Sequence, residues 1–174
     1  MDETFPVKMT PKEFEKLVRK FLIKKGAGIP TLEVLHDVKE RVDEQEYQID
    51  VKATYELLGG VQFVVLVECK HHKAPIKRDV VVILKDRLLE TGSHKGIVFS
   101  TSPFQSGALE YGKRHGIALA QIIDGRANYL TKGQDKEIDE NDSPMYILKR
   151  QSIVPEGIQD QYIYPEYNLE DLWE

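Results

Sequence analysis

Asp50, Glu68 and Lys70 are the residues whose types and spacing could do chemistry in this chain. Two carboxylates near each other repel, and in an apolar setting one of them tends to keep a proton. A divalent cation relieves that conflict. Magnesium takes oxygen ligands in octahedral geometry, commonly one or two carboxylates completed by waters and a substrate phosphate. A neighbouring lysine can orient a nucleophilic water or balance phosphate charge, while the metal polarises the phosphoryl group. That is an inventory for phosphodiester hydrolysis, provided the fold brings the three side chains together.

Their positioning rests on a hairpin. Val61 to Lys73 reads VQFVVLVECKHHK, and Val61 to Lys70 within it is a strand that begins almost wholly apolar and ends in charge. Tyr47 to Leu57 is a preceding strand, and Leu58-Gly59-Gly60 forms the turn between them. With a three-residue turn, Leu57 pairs with Val61 and Asp50 falls opposite Glu68, with side chains on one face. Lys70, two residues on, returns to that face. A two-residue turn would move Asp50 opposite Cys69 and break the arrangement.

The remaining elements follow from local signals. Thr10-Pro11-Lys12-Glu13 is a helix start with a capping box and proline at the first position. Phe14, Leu17, Val18, Phe21 and Leu22 continue at helical spacing to Gly26, so the first helix spans 11–25. Thr31 to Val38 alternates, with Leu32, Val34, His36 and Val38 on one face. Pro75 opens a second helix that Gly92 ends. Lys95 to Ser100 is a strand. Ser102-Pro103 starts a third helix running to about His115, capped by Thr101 or Ser102, and residues 117–124 form a last strand. The order α-β-β-β-α-β-α-β predicts an α/β fold, a mixed central sheet flanked by helices, with parallel pairing at its end.

Bulk properties set the limits. The chain has 174 residues and a net charge of −5. Residues 1–130 carry +2 (20 Lys and Arg against 18 Asp and Glu), and residues 131–174 carry −7 (4 against 11). The larger part therefore permits nucleic-acid binding without the strongly basic footprint that would demand it. The acidic, aromatic-containing stretch 133–174 reads as an extension of a domain spanning 1–132: a packed segment, a dimer arm, a flexible tail or an arm that mimics DNA. No apolar run approaches the length of a membrane span, and no signal peptide is visible. With Cys69 the only cysteine, an intrachain disulfide is excluded, and a cytoplasmic location is expected. Zinc is not expected either, because Cys69, His71 and His72 have no second Cys/His cluster to converge with. The lack of a glycine-rich phosphate loop or a Gly-x-Ser-x-Gly turn ranks a small-molecule α/β enzyme last.

Asp50 followed by Glu68-Cys69-Lys70 resembles the PD-(D/E)XK nuclease superfamily, in which an Asp on one hairpin strand and an (Asp/Glu)-x-Lys on the next form the site. Gln48-Ile49 stand before Asp50 where the superfamily name has proline. Phe14-Glu15 with Leu17-Val18 looks like the FExLV element of the Mrr-like restriction endonuclease branch. GIVFSTSPFQSGALEYGKRHGIALAQIIDG, residues 96–125, resembles that branch's strand, Thr/Ser-rich turn, helix and closing strand. The resemblance covers about residues 10–130 and implies a restriction-endonuclease-like core. It implies an endodeoxyribonuclease that uses Mg²⁺, or Mn²⁺ in its place, in restriction-like defence or DNA repair. Asp50, Glu68 and the backbone carbonyl of Cys69 would hold the metal, and Lys70 would orient or activate water. Many of these relatives have Gln where Glu68 stands, and the acid favours a metal.

Several residues stay open between two readings. Glu15 matches a helix-one glutamate that joins the site in many relatives, and it also suits a solvated helix face. Lys73, Lys77 and Arg78 with His72 are either DNA phosphate contacts or a solvated basic face. Lys52 is a phosphate contact or an edge-strand lysine, the second being preferred. Glu68 and Lys70 would form a plain ion pair if the site were silent. Double-strand cleavage with one site per chain calls for a homodimer. Mrr-type enzymes commonly pair the nuclease domain with a second module, so a separate DNA-recognition partner is a further expectation. A catalytically silent module of the same fold, binding nucleic acid or protein, and a nuclease like the Holliday-junction resolvases are the alternatives.

Overall fold

The computed structural model describes residues 9–123 and 126–133. Helix α1 (Pro11–Lys25) has the expected bounds. Thr10 Oγ1 accepts the Glu13 N–H, and Glu13 Oε2 accepts the Thr10 N–H at 2.7 Å. The Thr10 N–H first, and then the Thr10 hydroxyl donating to the same Oε2 at 2.8 Å, hold the Glu13 carboxyl below its ordinary range. Strands β1 (Glu33–Val42), β2 (Gln45–Leu57) and β3 (Val61–Lys70) follow, then α2 (Arg78–Glu90), β4 (Lys95–Ser100), α3 (Ser106–His115), β5 (Ala118–Ile123) and β6 (Arg126–Thr131). The strands form one six-stranded sheet in chain order. Pairing is antiparallel through β1–β2–β3, parallel for β3–β4 and β4–β5, and antiparallel again for β5–β6.

Successive right-handed crossovers that advance across a sheet in one direction place their helices on the same face. Accordingly α2 and α3 share a core with Leu66, Val98 and Leu119. Helix α1 covers the opposite face through Phe14, Leu17, Val18 and Phe21, packed on Val51, Val65, Val67 and Phe99. The strict alternation along β3, with Val65, Val67 and Cys69 toward α1 and Leu66 toward α2, explains its apolar sequence. A strand covered on both faces has no solvent side. Close contact of α3 with β5 depends on Gly112, where a Cβ would lie 2.8 Å from Leu119 Cδ1 and 3.3 Å from the Ile117 carbonyl oxygen.

Four expectations are corrected. Strand β6 was not foreseen, although Ala-Asn-Tyr-Leu-Thr after Arg126 has strand character. Helix α2 begins at Arg78 rather than Pro75, because Ile76 is drawn into a parallel bridge with Phe104. The Ile76 N–H donates to the Pro103 carbonyl at 2.8 Å, and the Gln105 N–H donates to the Ile76 carbonyl at 2.9 Å. The same bridge delays α3 to Ser106 with Gln105 as its N-cap, so neither Thr101 nor Ser102 caps it. Finally, β1 does not keep one face. Val34 lies in the α1 layer and Val38 against the α2 layer. Between them Asp37 has φ 56°, and the β1–β2 ladder passes over Asp37 and Asp50. Aspartate tolerates this left-handed conformation better than most residues. Ile49 and Val51, flanking Asp50, likewise face opposite layers. The readings for Asp124-Gly125 and for residues 134–174 lie outside the described residues.

Candidate active site

The hairpin turn is the three-residue one. Leu58, Gly59 and Gly60 all have positive φ, at 53°, 82° and 109°. The register follows as expected from Leu57↔Val61 to Val51↔Val67. There the β2–β3 ladder ends. Asp50, where β2 switches faces, turns its carboxylate onto β3, and Oδ2 accepts the Cys69 N–H at 2.7 Å. Asp50 and the Glu68-Cys69-Lys70 segment are thereby joined by a direct bond.

Glu68 is buried, at 8% exposure. Lys70 Nζ lies 2.6 Å from its Oε1, and Arg87 Nη1 lies 2.7 Å from its Oε2. Lys70 comes from the same strand and Arg87 from α2. Glu15, on α1, is hydrogen-bonded through Oε2 to His36 Nε2 of β1 at 2.8 Å, with both side chains mostly buried. Asp50 feels the charges of both Glu68 and Glu15. The Asp50 carboxyl is pushed up to about 6, first by burial, then by the Glu68 charge and further by Glu15. The Cys69 N–H and Lys70 oppose that rise without cancelling it. Cys69 is a small core residue whose thiol is raised by burial.

The strand ends that carry the site are tied from behind. The Thr101 N–H donates to the Lys70 carbonyl at 3.1 Å, and the Ser102 N–H donates to Ser100 Oγ at 2.9 Å. Ser102 Oγ donates to the His72 carbonyl. His71 Nδ1 is hydrogen-bonded to Thr101 Oγ1 at 3.2 Å, and its ring stacks on Phe14 with centroids 5.5 Å apart. The Thr/Ser turn therefore braces the end of β3, and His71 is anchored between Thr101 and Phe14.

The basic group is less uniform than its sequence. His72, Lys73, Lys77 and Arg78 are all exposed, just beyond the site strand and at the start of α2. Lys77 is the N-cap of α2, whereas the Arg78 guanidinium lies 5.0 Å from the Tyr111 ring centroid. Lys52 is neither at a sheet edge nor open, because β2 is paired on both sides and Lys52 Nζ is 2.8 Å from Glu40 Oε2.

Two side chains in this cluster were not singled out for chemistry from sequence. His36 was seen only as one of an alternating set. Arg87 has a weak signal: it stands three residues after Leu84 and one before Leu88, beside the buried stripe of α2. A cation in that place on a helix covering a sheet needs an anion on the sheet.

The donor set suits a hard divalent cation. Asp50 and Glu68 offer carboxylate oxygens in a partly buried place, where burial and the Glu68 charge push the Asp50 carboxyl up to about 6. Among the described residues no three His, Cys, Asp or Glu side chains converge as a metal site. A cation there would complete its shell from backbone carbonyl, water and phosphate oxygens, as magnesium does.

The family model Mrr_cat, described as "Restriction endonuclease", matches residues 7–126. The chain belongs to the restriction endonuclease family. The match takes in α1, the hairpin, both crossover helices and β5, so every residue of the candidate site lies inside it. Among solved structures, the protein of unknown function AF1548 is 18% identical with a TM-score of 0.48, covering 79% of this chain and 67% of that one. The DNA modification-dependent restriction endonuclease AspBHI is 15% identical with a TM-score of 0.38 over 63% of this chain. The MspJI restriction endonuclease, solved in complex with a 27-mer oligonucleotide, is 17% identical with a TM-score of 0.40 over 55% of this chain. The chain spans 32% of the AspBHI chain and 22% of the MspJI chain. No curated protein matches it significantly. Among the described residues, no helix is long and apolar enough to cross a membrane.

Proposed function

We propose that this restriction endonuclease-family chain is a DNA endonuclease that hydrolyses phosphodiester bonds with Mg²⁺, or Mn²⁺ in its place. The observation that carries the reading is the Asp50 carboxylate bonded to the Cys69 N–H, beside a Glu68 in contact with Lys70. Asp50, Glu68 and the Cys69 carbonyl hold the cation. When bound, it polarises the scissile phosphate and lowers the pKa of the attacking water. Lys70 orients that water once its ammonium leaves Glu68. Glu15, held by His36, shapes the negative edge of the site. Lys73 and Lys77, with His72, grip the phosphate backbone, which adds affinity without sequence preference. Arg78 contributes less, being engaged on Tyr111. The nuclease domain is residues 1–132, with 133–174 as its extension. Cutting both strands brings two copies together, and recognition of a target sequence falls to a partner or a further module. The role is restriction-like defence or DNA repair in the cytoplasm.

A second reading has one observation in its favour. Both Glu68 oxygens are already engaged by cations, as in a structural ion pair, and a catalytically silent nucleic-acid-binding or protein-interaction module would look the same.

The test is incubation of the purified protein with supercoiled plasmid and with a branched duplex, plus Mg²⁺ or Mn²⁺, beside Asp50→Ala and Lys70→Ala. Metal-dependent nicking that disappears in both variants is expected. Binding of DNA without cleavage of either substrate supports the silent module. Cleavage that survives both substitutions overturns the site.

A further inference from the structure

We propose that Arg87 is the resident counter-cation of Glu68, holding a carboxylate oxygen that an incoming divalent cation has to take over. This inference rests on the nuclease reading above. Three observations carry it. Glu68 is buried, and its two oxygens are engaged by cations from different elements, Lys70 on Oε1 and Arg87 on Oε2, both under 3 Å. Among the described residues Asp50 accepts only a backbone N–H, so the two cations of the site are spent on one carboxylate. Arg87 belongs to α2, whose packing against the sheet through Leu84 and Leu88 brings the guanidinium beside Glu68.

The consequence is a competition. A carboxylate neutralised on both oxygens is a poor ligand. An entering dication must displace one partner and then sit within a few ångströms of the displaced positive charge. Lys70 has a compact ammonium on a flexible stem and yields Oε1 readily. Arg87 is planar, always charged and less strongly hydrated, so it resists displacement. The free protein therefore binds divalent cations weakly. A phosphate of the substrate offers Arg87 a new anionic partner, releasing Oε2. Cation and phosphate then favour each other's binding, and by linkage that coupling is reciprocal.

The probe is Mn²⁺ itself, titrated into the DNA-free full chain and followed by the electron paramagnetic resonance signal of unbound metal, at neutral pH. Arg87→Gln removes the charge and keeps a polar side chain at that position. It is expected to bind Mn²⁺ about tenfold more tightly than the parent, and Asp50→Asn to bind it hardly at all. Equal or weaker binding by Arg87→Gln, with Asp50→Asn still impaired, overturns the role of Arg87 and leaves the nuclease reading standing. Absence of Mn²⁺ binding in parent and both variants overturns the metal reading, and this inference with it. Nuclear magnetic resonance of the unsubstituted protein provides a measurement that needs no variant. The Arg87 guanidinium signals are expected to shift as Mg²⁺ saturates the site, and signals that stay fixed at saturation overturn the proposal.

Discussion

Asp50 Oδ2 accepts the backbone N–H of Cys69 at 2.7 Å, so a side chain of β2 bonds to β3 just beyond the last paired residues, Val51 and Val67. That bond keeps the carboxylate partly buried and next to Glu68. Burial and the neighbouring Glu68 charge, working against that bond, make Asp50 costly to ionise, which has measurable consequences.

The Asp50 carboxyl sits at about 6 in the folded chain, above its ordinary 3.8. Between those values the unfolded chain has released the proton and the folded chain retains it. Stability contributed by this group is therefore full below about 3.8, falls as pH rises through the window, and stays low above 6. The loss is on the order of 3 kcal/mol at most. Asp50→Asn can still accept the Cys69 N–H and carries no charge. Without metal, it is expected to be more stable than the parent at pH 7.5 by up to that amount, with the difference narrowing toward pH 4. Urea unfolding across pH 4–8 reads it, and a constant difference would count against the assignment.

Glu15 acts on Asp50 through space, its charge being among the causes that raise that carboxyl. Glu15→Gln should shift the Asp50 titration below about 6, as followed by the carboxyl carbon resonance. His36→Ala leaves a mostly buried carboxylate without its partner and is expected to cost about 1–3 kcal/mol of stability. An unmoved Asp50 titration in Glu15→Gln would separate the two groups.

Lys73 and Lys77 are exposed, and among the described residues neither forms an ion pair. If both meet phosphates, Lys73→Ala with Lys77→Ala reduces the slope of log affinity against log salt by about 2 for duplex DNA. Arg78→Ala alone should change that slope by less, because its guanidinium lies over Tyr111. Fluorescence anisotropy at several salt concentrations measures both, and an unchanged slope in the double variant would make the patch a solvated face.

Gly112 tests the layer behind the site. A methyl there meets Leu119 at 2.8 Å and has the Ile117 carbonyl close by. Gly112→Ala is expected to destabilise the fold by about 1–3 kcal/mol through overpacking. Thermal unfolding that matches the parent would mean α3 shifts freely on β5.

Much of the site was legible because its signals are short-range. Leu58-Gly59-Gly60 has three positive φ values, two of which fall on glycines at little cost, and that turn brings Asp50 to the Glu68-Cys69-Lys70 segment. Thr10, Pro11 and Glu13 likewise determine where α1 begins, since capping is a matter of three or four consecutive residues. The start of α3 departs from its local signal for the complementary reason. Ser102 is a fine cap in isolation, but the bridge between Ile76 and Phe104 holds that stretch extended.

What the sequence by itself determined is thus the mixed α/β order through β5, the hairpin register and the closeness of Asp50, Glu68 and Lys70. The tertiary structure alone decided the partners of these charges. Arg87 reaches Glu68 because both crossovers place their helices on the face to which Glu68 points. His36 reaches Glu15 because α1 lies on the other face, and the face switch at Asp37 and Asp50 sends Val38 and Ile49 away from it. Periodicity tells which residues share a side of a strand. Which helix covers that side, and where a strand rolls over, depends on long-range packing that no window of sequence contains.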